Sequence, residues 1–75
     1  MTMKKRLARY LERHYSTYAE SKVEEMIDEA IVRLSHTDYL DLEALLESVE
    51  SMRSEGWSNQ KILAQLNIID LEDRI

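Results

Sequence analysis

The side chains best suited to acid–base or metal chemistry in these 75 residues are two histidines, His14 and His36, and fifteen carboxylates. His36 stands near Asp38 and Asp41, which could set an imidazole against two acids, as a metal ligand set or as an oriented base. His14 falls on the apolar side of a helical stretch and has no such partner set. There is no cysteine to act as thiolate nucleophile or ligand, and one glycine cannot build a phosphate-cradling loop. No H-x-x-x-H spacing occurs, and a His–Asp pair between two helices is a common capping arrangement. A chain this short also has difficulty enclosing a substrate-sized pocket. The sequence is therefore expected to be non-enzymatic, with no metal and no cofactor.

Binding chemistry is better represented. Lys5, Arg9 and Arg13 repeat at i, i+4 and so share one face of a helix. Met1 to Tyr15 carries five basic residues against Glu12, while the other residues carry fourteen acids against five bases, so a first segment near +4 precedes a remainder near -9. Such a basic row can meet nucleic-acid phosphates, a lipid surface, or acidic rows such as Glu43, Glu47 and Glu50 or Glu24 and Asp28. A membrane role needs a stronger apolar face than Leu7, Tyr10, Leu11 and Tyr15 supply. Tyr10, Tyr15, Tyr18, Tyr39 and Trp57 pair a large apolar body with a polar tip, a type enriched where one protein covers another. Ile68, Ile69 and Leu71 give the last segment too many aliphatics for a free tail. The expected partner-binding set is thus Lys5, Arg9, Arg13, Tyr10, Leu11, Tyr15, Tyr18, Trp57, Ile68, Ile69 and Leu71.

The elements that must carry these residues are helices. Proline is absent, and 44% hydrophobic with 33% charged residues marks a globular chain. Apolar spacing predicts helices near 4–15, 17–34 and 40–55, with a short fourth near 59–66. The first apolar stripe (Leu7, Tyr10, Leu11, His14, Tyr15, Tyr18) and the second (Val23, Met26, Ile27, Ala30, Ile31, Leu34) are out of phase, which places a break between Ser16 and Lys22. Thr17 with Glu20 and Ser21 with Glu24 both fit a capping box there. Ser35 to Asp38 reads as a loop, Gly56 as a left-handed helix stop, and Ser58 as a cap with Trp57 stapling against Ile62. Asn67 reads as the stop of the fourth helix. The fold class expected is all-α, one domain over 1–75, centred on an antiparallel hairpin. Its seam sets the second stripe against Leu42, Leu45, Leu46, Val49 and Met52. At this length the core is thin, so dimerisation of two hairpins is expected to complete it.

Leu45 to Ile68 resembles the first half of helix-turn-helix DNA-binding motifs: long helix, Gly56, Trp57-Ser58, short helix, Asn67. The resemblance implies a recognition helix in the segment from Ile69 to Ile75. That segment holds Asp70, Glu72 and Asp73 against Arg74, a balance that repels DNA. The functional expectation is a small regulatory or adaptor protein acting through protein–protein contact as a homodimer. Its competitor is a DNA-binding regulator using the basic first helix. The opening MTMKKRLARYLERHY has no apolar core of a signal peptide, and with no cysteine this leads to an expected cytoplasmic setting.

Overall fold

The described residues of the computed structural model form four helices: α1 (Met3–Tyr15), α2 (Glu20–Ser35), α3 (Leu42–Ser54) and α4 (Asn59–Asp73). The structure describes residues 3–36 and 41–73, the last four of these as helix backbone alone. Among the described residues there is no strand.

Local chemistry sets most of the boundaries. The break after Tyr15 forms as expected, but neither capping box does. Thr17 instead donates its hydroxyl to the His14 carbonyl (2.7 Å) and Ser16 donates to that of Arg13 (2.6 Å), so both hydroxyls close α1. Glu20, the acid of the first box, accepts from Asn59 Nδ2 (2.9 Å) and Gln60 Nε2 (3.0 Å). The residue flanking α2 is Ala19, with no side-chain cap. A carboxylate that bridges two helices is thereby unavailable to satisfy its own amides.

At α3 the cap is Asp41, whose carboxylate accepts from the Glu43 amide; Asp38 lies outside the described residues. Gly56 takes the left-handed conformation, φ +90°, a region closed to most side chains. Its amide donates to the Arg53 carbonyl and that of Trp57 to Met52, both at 3.0 Å, which together make a Schellman stop. Ser58 then accepts from the Lys61 amide (3.2 Å), capping α4.

The fourth helix is where the sequence expectation fails. It runs on past Asn67 to Asp73 and is longer than α1 or α3. Asn67 does not adopt a left-handed conformation. Its side chain is drawn inward: Nδ2 donates to the Leu63 carbonyl (2.9 Å) and Oδ1 accepts from Arg33 (3.5 Å). With Ile68 buried just beyond, continuing the helix hides apolar surface that a turn would expose.

This longer α4 is the centre of the packing. It rests against α1 and α2 most extensively and also touches α3, while α2 packs on α3. Ile62, Leu63, Ala64, Leu66 and Ile68 are buried on several sides of it, as in a helix surrounded by others. Val23, Ile27, Ala30, Ile31 and Leu34 of α2, Leu45 and Val49 of α3 and Tyr15 of α1 join its Ile62, Leu63 and Leu66 in one buried cluster. The expected seam is correspondingly narrower: Met26 and Met52 are half-buried, and Leu42 and Leu46 stand in solvent. The radius of gyration, 12.0 Å, is near the ~11 Å of a closed chain of this length.

Candidate interaction surface

Packing on α4 fixes which face of α1 is hidden. Leu7, Ala8, Leu11 and Glu12 are half-buried and Tyr15 is fully so. The remaining arc therefore points outward and carries Lys5, Arg6, Arg9, Arg13 and Tyr10, all exposed. Tyr10 departs from the sequence reading, which grouped it with the inward stripe. It is 66% exposed and lies among Arg6, Arg9 and Arg13 in one shallow surface depression. Beside it, His14 stacks nearly parallel on Tyr10 at 6.4 Å between ring centres and meets Tyr15 and Tyr18 edge-on at 5.5 Å.

The charges on α1 oppose the helix that bears them. No acid occupies its first turn, where Lys4 and Lys5 sit at the positive end of the macrodipole. The Lys5, Arg9, Arg13 row also repels itself at i, i+4. Only Arg13 and His14, in the last turn, suit the dipole.

A groove of about 260 Å³ lies between α1 and α4, with Ala8 and Ala64 on its floor and Lys5, Arg9, Lys61 and Trp57 around it. Lys61 lies over the Trp57 ring at 4.3 Å, a cation–π contact that fixes the indole at the start of α4.

A second groove, about 430 Å³, runs between α2 and α3. Asp28, Glu43, Glu47 and Glu50 rim it against Arg53 alone, and Leu46 stands in it 46% exposed. The acidic rows named from sequence thus meet at one groove, apart from Glu24.

The remaining residues of the expected set divide. Tyr18 is exposed and Trp57 half-buried. Leu11 and Ile69 pack against the core, and Ile68 is interior. The side chain of Leu71 lies outside the described residues, as does Tyr39. Tyr15 is an anchor rather than a surface residue. Burial pushes its phenol above its ordinary pKa and Tyr18 adds to this, while Arg33 and a hydrogen bond with Asn67 pull the other way. Tyr15, Arg33 and Asn67 thus form one polar node joining α1, α2 and α4, a grouping that sequence spacing gave no means of finding.

Among the described residues no three His, Cys, Asp or Glu side chains are grouped to hold a metal ion, and no helix is long and apolar enough to cross a membrane. His36 caps the end of α2, and Asp41 is committed to the start of α3. The glycine corner of the helix-turn-helix resemblance exists, but the helix after it is α4, whose residues 62–64, 66 and 68 are buried and which runs unbroken as far as Asp73, into the segment where a separate recognition helix was expected. No protein-family model, curated protein or solved structure matches the chain.

Proposed function

We propose that this chain is a small, non-enzymatic regulatory or adaptor protein that acts through protein–protein contact, pairs with a second copy of itself, and works in the cytoplasm. The outward face of α1 carries this reading. Arginine and tyrosine are the residue types over-represented where binding energy concentrates, and here Arg6, Arg9 and Arg13 surround an exposed Tyr10. Such a cluster of exposed cations around an aromatic ring suits an acidic protein surface.

The same cluster of cations favours a second reading, contact with nucleic-acid phosphates. One experiment separates the two. Wild-type chain and the Arg6→Glu/Arg9→Glu/Arg13→Glu variant are compared for binding to duplex DNA in a gel shift and for proteins retained from host lysate. The adaptor reading expects a protein retained by wild type and lost with the variant, and no DNA complex. A salt-sensitive DNA complex abolished by the variant, with no protein retained, overturns it in favour of the second.

A further inference from the structure

Resting on the reading that the outer face of α1 binds protein, we infer that its partner is a second copy of this chain, with α1 of one copy seated in the α2/α3 groove of the next. The argument is one of complementary rows. Lys5, Arg9 and Arg13 follow one another at i, i+4 along α1; Glu43, Glu47 and Glu50 follow at i, i+4 and i+3 along α3. The two helices have the same length, 13 residues. At ~1.5 Å per residue the basic row covers about 12 Å and the acidic row about 10 Å, so their charges can alternate in register.

The acids at i, i+4 and i+3 along α3 repel one another, and a basic row laid against them offsets that repulsion. The apolar parts fit the same arrangement. Tyr10 projects from among the arginines, and Leu46 lies open between the acids, so docking covers both while leaving the charges at the rim.

The paired charges lie at the solvent-exposed rim, so the contact is weak, transient and screened by salt. Sedimentation equilibrium of the full chain at tens of micromolar is expected to give a mass above 8.9 kDa at low ionic strength, falling to that value in high salt. Arg9→Glu/Arg13→Glu and Glu47→Lys/Glu50→Lys are each expected to remain monomeric, with helicity by circular dichroism showing that both fold. Mixing the two variants opposes acidic α1 to basic groove and basic α1 to acidic groove, and should restore association. Wild-type association that ignores both reversals, or a mixture that stays monomeric, overturns this docking while leaving protein binding by α1 standing. A wild-type chain that is monomeric at every concentration and salt removes self-pairing altogether.

Discussion

α1 and α4 lie side by side and are similar in length, yet they relate to the protein in opposite ways. α4 buries Ile62, Leu63, Ala64, Leu66 and Ile68, and Ile69 packs against the same core. α1 fully buries Tyr15 alone and turns its cations to solvent. Its sharp division into an inner and an outer side is that of a surface helix, whereas α4 has almost no sidedness because neighbours approach it from several directions. α4, together with α2, thus holds most of the buried apolar residues, whereas α1 presents exposed cations.

That contrast is tested most severely at Leu66, which is wholly buried. Leu66→Ala is expected to cost about 2–5 kcal/mol, a large share of what a domain this small possesses. Urea denaturation followed by circular dichroism should show the midpoint collapse, and a loss below about 1 kcal/mol would mean that α4 is not the hub. A smaller effect is expected where α4 is introduced. Gly56→Ala places a side chain at φ +90° with nothing within 4 Å, so only backbone strain remains, about 1 kcal/mol. A thermal midpoint lowered by several degrees, with unchanged helicity below it, is the expected result in a calorimetric scan.

Tyr15 sharpens the comparison from the side of α1. Its phenol has a raised pKa in the folded state, so the unfolded chain releases that proton first as pH climbs. The neutral phenol's contribution is complete below the ordinary tyrosine value, about 10, and drains away as pH rises toward the higher folded value. Tyr15→Phe is expected to leave stability at neutral pH within about 1 kcal/mol of wild type, since the hydrogen bond with Asn67 favours the ionised phenol, and to flatten the alkaline fall in stability above the ordinary tyrosine range by roughly that group's share. Denaturation midpoints across this range measure both, and an unchanged alkaline limb would show that Tyr15 does not anchor α1.

Surface helices were the legible part of the fold. The break after Tyr15, the Gly56 stop and the Ser58 cap each depend on two or three neighbouring residues, and each formed where spacing put it. α4 was misjudged because Asn67 carries a stop signal locally and cancels it through Arg33, a partner in another helix. A fourth helix ending at Leu66 would have left Ile68 and Ile69 outside the bundle, where the structure packs both. Thr17 and Glu20 failed as a cap for the same reason, since Asn59 and Gln60 compete for the carboxylate. At the candidate surface, the basic row was readable from i, i+4 spacing, because it needs only one helix. That Tyr10 belongs to it and Tyr15 does not depended on which side α4 would take. The convergence of Asp28 from α2 with Glu43, Glu47 and Glu50 from α3 likewise required the tertiary arrangement.

Trp57 is the protein's single tryptophan, and it is pinned by Lys61 at the corner where α3 gives way to α4. The chain thus carries its own optical probe. Indole emission selects this corner without a label, so a red shift that precedes the loss of far-ultraviolet ellipticity would report the first turn of α4 peeling away, and coincident signals would report a corner that melts with the whole.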